Sequence, residues 1–221
     1  MFVKICGITS EEDALLAVAM GADAVGFVFA PSSRQIAAGK ARDIARRLPP
    51  EVLTVGVFRD ESAQRVVDVV NGAGLRAAQL HGHETVEHTR SVRSRVSFVI
   101  KAFAAGDPTL ERADDFGADA VLVDSPTPGS GDMFDWSLAE GAPHGRRVIL
   151  AGGLTPDNVA EAIARVRPWG VDVSTGVESE PGRKDARKVR DFIRAAKSAS
   201  PRPYKSPEPA RPFDWEIEPY L

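Results

Sequence analysis

The sequence predicts an α/β chain closed into a single (β/α)8 barrel, a TIM barrel, with a Pro-rich C-terminal tail. Three observations carry this. Eight short apolar runs rich in β-branched residues each end in a polar or glycine-rich turn: Phe2–Ile8, Ala24–Phe29, Leu53–Phe58, Ala77–His81, Ser97–Phe103, Ala120–Ser125, Arg147–Gly153 and Val171–Gly176. Almost every run leads into a helix-like stretch, the alternation that builds parallel sheets. The chain has 221 residues, near the short end for this fold, which runs from about 200 to over 400 residues. Such a barrel places its chemistry at the C-terminal ends of the strands and in the loops that follow.

The elements follow in order. Strand 1 ends in Lys4-Ile5-Cys6-Gly7. Thr9 or Ser10 can cap a helix over Glu11–Met20, whose first turn is acidic. Strand 2 leads through Pro31-Ser32-Ser33-Arg34 to a helix over Lys40–Leu48. Strand 3 precedes a helix from Glu61 to Asn71, stopped at Gly72. Strand 4 ends in Gln79-Leu80-His81-Gly82, before a helix from Glu84 to about Val92. Strand 5 carries Lys101 near its end and a short helix over Pro108–Phe116. Strand 6 ends in Asp124 and enters the Pro/Gly-rich loop Ser125–Asp132, with a short helix near Trp136–Ala142. Strand 7 ends in Ala151-Gly152-Gly153, and Thr155-Pro156 is expected to start the next helix. Strand 8 ends in Ser174-Thr175-Gly176, before a final helix over Asp185–Ala196.

Residues 200–221 hold six of the sixteen prolines. They read as an extension outside the barrel, giving a barrel domain over 1–199 and a tail over 200–221. Phe213-Asp214-Trp215 repeats Phe134-Asp135-Trp136, and Ile217, Tyr220 and Leu221 follow. Such a cluster of large apolar side chains suggests docking on the chain's own barrel or a neighbour's.

The net charge is −3 and the basic residues do not cluster, which argues against a nucleic-acid partner. One cysteine permits no internal disulfide. No apolar stretch is long enough to span a membrane, so a cytoplasmic enzyme is expected. The four histidines do not offer metal-ligand spacing, and no dinucleotide fingerprint follows a strand. Neither a metal nor a cofactor is expected.

Several strand ends could carry chemistry. Cys6 could serve as base or nucleophile if its pKa were lowered, or be a small buried hydrophobe. Asp124, at the mouth of an apolar strand, suits a general acid or a loop cap. Arg34 suits bidentate capture of an anion, or is a solvated surface arginine. His81 could be base, donor or structural residue. Gly152 and Gly153, with Ser174, Thr175 and Gly176, suit a backbone phosphate site after strands 7 and 8, the alternative being glycines that only make tight turns.

Taken together, the ordered series is specific: Lys4-Ile5-Cys6-Gly7-Ile8-Thr9, Gly21–Phe29, Pro31–Arg34, Val55–Phe58, Gln79–Gly82, Phe134–Trp136, Leu150–Leu154 and Val171–Glu178. It resembles the phosphoribosylanthranilate isomerases over about residues 2–197. The resemblance implies an Amadori rearrangement in tryptophan biosynthesis, with a small phosphorylated substrate and no cofactor. It implies Cys6 as general base, Asp124 as general acid, and Arg34 facing the anthranilate carboxylate. Gly152, Gly153, Ser174, Thr175 and Gly176 fall on its phosphate-binding turns, and His81 lies in one of its motifs. A monomer or homodimer is expected. Three features depart from the family pattern: threonine in place of a second serine at 175, the loop after Asp124, and the tail.

Overall fold

The structure, a computed structural model, describes residues 1–125, 136 and 145–199. The expected loop after Ser125, the expected helix near Trp136–Ala142 (Trp136 excepted) and the tail from 200 lie outside the described residues.

Eight parallel strands close a barrel in chain order: β1 (Phe2–Cys6), β2 (Ala24–Val28), β3 (Leu53–Phe58), β4 (Ala77–Leu80), β5 (Phe98–Ala104), β6 (Ala120–Asp124), β7 (Val148–Leu150) and β8 (Gly170–Val173). The seam is closed by β1 and β8, which align Lys4 with Asp172. Between them run α1 (Glu11–Ala19), α2 (Ala38–Ala45), α3 (Ala63–Gly72), α4 (Val86–Arg93), a 3-10 segment over Pro108–Phe116, α5 (Val159–Val166) and the final α6 (Ala186–Ala199). Side chains alternate along each strand. One set fills the barrel interior: Phe2, Ala24, Leu53, Val55, Ala77, Phe98, Ile100, Ala102, Ala120, Leu122, Ile149, Ala151 and Trp169. The opposite set packs under the helices, with Ile5, Phe27, Leu80, Val123 and Val171 among its members.

The helices begin where short polar side chains can hold first-turn N–H groups. Ser10 accepts from Asp13, Ser62 from Arg65 and Thr85 from His88. One expected start is corrected. Thr155-Pro156 does not open α5. Thr155 N–H donates to Asn158 Oδ1 at 2.7 Å, and Asn158 Nδ2 donates to Gly153 O at 2.9 Å. Asn158 thereby ties down the turn after β7 before the helix begins. A feature absent from the sequence reading is a two-stranded antiparallel ribbon, β9 (Glu178–Glu180) and β10 (Arg183–Lys184), between β8 and α6.

Strand parity sets which residues reach the site. Lys4 and Cys6 share parity with inward Phe2, Asp124 with Ala120 and Leu122, and His81 with Ala77. All four therefore belong to the inward set.

Candidate active site

Cys6 ends β1 buried against Gly26, its register partner on β2. A Cβ on Gly26 would sit 2.8 Å from Cys6 Sγ and 3.2 Å from Lys4 Nζ, so the glycine makes room for both side chains. Lys4 is fully buried and donates to Asp172 Oδ1 at 2.9 Å. Burial disfavours its charge, but Asp172 and Cys6 outweigh that, and the ammonium is held above the ordinary lysine range. A thiol that serves as base calls for a lowered pKa. The outcome is the reverse: burial pushes Cys6 up, and the pull of Lys4 is opposed by Asp172. A neighbouring cation, Lys4, is present, yet desolvation wins.

Asp124 ends β6 with Oδ1 accepting from its neighbour's amide, Ser125 N–H, at 2.7 Å. Its Oδ2 lies 3.1 Å from His81 Nε2, close but not aligned as a hydrogen bond. His81 Nδ1 lies 2.9 Å from Gln79 Nε2. The other ring nitrogen, Nε2, faces Asp124.

The two glycine turns meet as expected. One cavity is lined by Asp124, Ala151, Gly152, Gly153, Ser174, Thr175 and Gly176, and Asp172 also faces it. Gly152 and Gly153 adopt φ of 79° and 63°, a backbone that L side chains rarely take. Gly176 lies directly against the Leu154 carbonyl, where any Cβ would collide. Thr175–Val177 forms a single 3-10 turn, whose first N–H groups have no partner within the turn. Main-chain amides of two facing turns around one polar cavity are the kind of group that suits an anion.

Arg34 crosses from the β2 loop to the same rim. A Cβ on Gly7 would meet its Cδ at 2.6 Å and Ser174 Oγ at 2.8 Å, so the arginine stem lies over the turn that follows Cys6. Its Nε and Nη2 donate to the two carboxylate oxygens of Glu178, each at 2.8 Å, and Nη2 also reaches Thr175 Oγ1 at 3.1 Å. Glu178 in turn accepts from buried Lys184 at 3.0 Å. Burial opposes ionisation of Glu178, but its two cationic partners outweigh that and hold the carboxyl below its usual range. For Lys184 burial prevails, and the ammonium sits below the ordinary lysine range.

Lys101, one of the charged strand-end residues of the sequence, does not join the site. It follows inward Ile100 and so points outward, beneath the helices. There its ammonium donates to Glu84 Oε2 at 2.9 Å, Gly82 O at 2.8 Å and Ala102 O at 3.1 Å. It holds the loop beyond His81 from outside the barrel. Asp172, Glu178 and Lys184 are site residues to which the sequence reading gave no role. The alternation in Val171-Asp172-Val173 does mark Asp172 as inward. No comparable signal marks Glu178 and Lys184, which meet across a ribbon of two short strands. Among the described residues, no His/Cys/Asp/Glu cluster could hold a metal ion, and no helix is long and apolar enough to cross a membrane.

The model of the N-(5'phosphoribosyl)anthranilate (PRA) isomerase family matches residues 3–195. The chain is 52% identical over 204 residues to the N-(5'-phosphoribosyl)anthranilate isomerase of Desulforudis audaxviator, covering 89% of this chain and 98% of that one. The crystal structure of the phosphoribosyl anthranilate isomerase from Thermus thermophilus is similar at a TM-score of 0.84 and 46% identity, covering 90% of this chain and 99% of that one. A phosphoribosyl anthranilate isomerase in complex with reduced 1-(o-carboxyphenylamino)-1-deoxyribulose 5-phosphate is similar at a TM-score of 0.80 and 45% identity, with the same coverage.

Proposed function

The chain belongs to the N-(5'-phosphoribosyl)anthranilate isomerase family, and from that premise we propose that Cys6 and Asp124 are the base and acid of its reaction. It is an aldose–ketose isomerase of tryptophan biosynthesis. It converts N-(5'-phosphoribosyl)anthranilate to 1-(2-carboxyphenylamino)-1-deoxyribulose 5-phosphate by an Amadori rearrangement.

The rearrangement needs two proton transfers at two places. Asp124 gives a proton to the furanose ring oxygen, and the ring opens to a Schiff base. Cys6, as thiolate, takes the proton from C2′, and the enolamine that results tautomerises to the ketone. Lys4 favours the ionised thiol that this step requires. The substrate phosphate sits in the cradle of Gly152, Gly153, Ser174, Thr175 and Gly176, held mainly by main-chain N–H groups. Arg34 meets the anthranilate carboxylate. His81, with Nε2 3.1 Å from Asp124 Oδ2, stands beside the acid where it can meet the substrate.

The observation that supports this reading best is that Asp124 shares one cavity with both glycine turns. A phosphate anchored there brings the ribose to the acid, with the inward rim of β1 alongside. The test is loss of anthranilate fluorescence on adding freshly generated phosphoribosylanthranilate to the protein. An unchanged signal, in a folded sample, would refute it.

The barrel domain is proposed to end at residue 199, because the family match stops at residue 195 and α6 ends at Ala199. Truncation after Ala199 should keep turnover. If the tail of 200–221 docks on a barrel, the same truncation lowers the melting temperature or the oligomeric size. We propose that the reaction runs in the cytoplasm, as expected for an enzyme of amino acid biosynthesis.

A further inference from the structure

The arrangement around Arg34 leaves one question that the reaction itself does not answer. A long, flexible side chain on a loop holds a fixed direction only if something else holds it. Glu178 takes the Nε edge and one Nη2 bond in a bidentate pair, the geometry that fixes a guanidinium in plane. Thr175 Oγ1 takes the other Nη2 bond. That leaves Nη1, which makes no hydrogen bond or ion pair among the described residues.

The anchor is itself anchored. Lys184 Nζ donates to Glu178 and to Ser174 O at 3.2 Å, and its own N–H donates to Asp13 Oδ2 at 3.1 Å. Lys188 Nζ donates to the Glu178 carbonyl at 2.8 Å. At the ribbon's turn, Thr9 Oγ1 donates to Gly182 O at 2.6 Å. The β9–β10 ribbon is therefore tied to α1, to α6 and to the loop after β1.

We infer that Glu178 is a positioning residue for the substrate carboxylate: from the β9–β10 ribbon it locks the Arg34 guanidinium so that Nη1 alone is presented to the aromatic end of the substrate. This rests on the reading of Arg34 given above. Lys184 completes the device by sharing the Glu178 carboxylate. With two cations on one carboxylate, the Arg34 charge is only partly neutralised and remains available to a second anion.

The experiment titrates two probes, reduced 1-(o-carboxyphenylamino)-1-deoxyribulose 5-phosphate and inorganic phosphate. Each is titrated on wild type, Arg34→Ala, Glu178→Gln and the double variant. Glu178→Gln is expected to weaken the carboxylate-bearing probe by about tenfold, the scale of a lost charge-assisted bond, and to leave inorganic phosphate unchanged. In turnover, KM should rise with a smaller change in kcat. The double variant should bind the probe no more weakly than Arg34→Ala, because Glu178 acts through Arg34. Additive losses in the double variant overturn the inference. So does unchanged probe binding by Glu178→Gln, or loss of phosphate as well, which makes Glu178 a purely structural residue. If Arg34→Ala leaves the probe's affinity unchanged, it is the reading of Arg34 that falls. Should Glu178→Gln fail to fold, Glu178→Asp carries the same test. It keeps the charge but draws the carboxylate back by one methylene, so it must weaken the probe and spare phosphate.

Discussion

Lys4 Nζ stands 2.9 Å from Asp172 Oδ1 across the β1–β8 seam, one inward layer below Cys6. The two members of the pair act on the thiol in opposite senses, on top of a larger effect of burial. Burial raises the Cys6 pKa, Lys4 lowers it, and Asp172 raises it again. A base that works as thiolate gains activity as pH rises through its pKa, so the ascending limb of kcat/KM is expected above the ordinary thiol value. Lys4→Met removes the cation and leaves Asp172 uncompensated, and both changes disfavour the thiolate. The limb should move to higher pH. A limb at the same pH in Lys4→Met would show that Lys4 does not set the state of Cys6.

The acid and base themselves give a second prediction. Cys6→Ala and Asp124→Asn should each lower kcat by ~10²-fold or more, the scale of general acid–base catalysis. KM should change less, because neither residue belongs to the glycine turns proposed to hold the phosphate. Steady-state kinetics of both variants decide it. If either keeps near-wild-type turnover, that residue is not the proton carrier.

The barrel was legible because its signal is local. Eight β-branched runs and the turns between them need no long-range information. The strand-end residues were legible for the same reason, since fold class alone says where Cys6, Asp124, His81 and the glycine turns must face. What stayed hidden depends on register and closure. Lys4 and Asp172 are 168 residues apart and meet only because β1 and β8 close the barrel. Glu178 and Lys184 sit on strands of three and two residues, too short for a periodic pattern. Lys101 was readable in principle. Its neighbours Ile100 and Ala102 face inward, so alternation turns it out to Glu84.

That buried outward pair yields a stability prediction. Glu84→Gln leaves Lys101 charged and uncompensated beneath the helices, and breaking a buried ion pair typically costs about 3–5 kcal/mol. Three carbonyl contacts to Lys101 place the expectation at the lower end. The pH dependence has a definite sign. Burial opposes ionisation of Glu84, but Lys101 and nearby amides outweigh it, and the folded pKa is depressed. The contribution is therefore full above the unfolded value of about 4.3 and is lost as pH falls through the folded value. Urea denaturation between neutral and acid pH should show wild type losing this increment and Glu84→Gln lacking that part of the slope. Equal slopes would remove Glu84 from the account.

The phosphate cradle can be tested by the kind of crowding each position meets. At Gly153 the obstacle is backbone conformation: φ of 63° costs an L residue roughly 1–2 kcal/mol. At Gly176 the obstacle is contact, since an added Cβ would strike the Leu154 carbonyl on the facing turn and push the two halves of the cradle apart. Thr175→Ser changes neither, and it keeps the hydroxyl oxygen that accepts from Arg34 Nη2. Calorimetric titration with inorganic phosphate should therefore rank the variants. Gly176→Ala is expected to lose about tenfold or more in affinity, equivalent to about 1.4 kcal/mol. Gly153→Ala should lose less affinity while unfolding at lower denaturant, and Thr175→Ser should match wild type. Wild-type affinity in Gly176→Ala would mean that phosphate is held elsewhere on the rim.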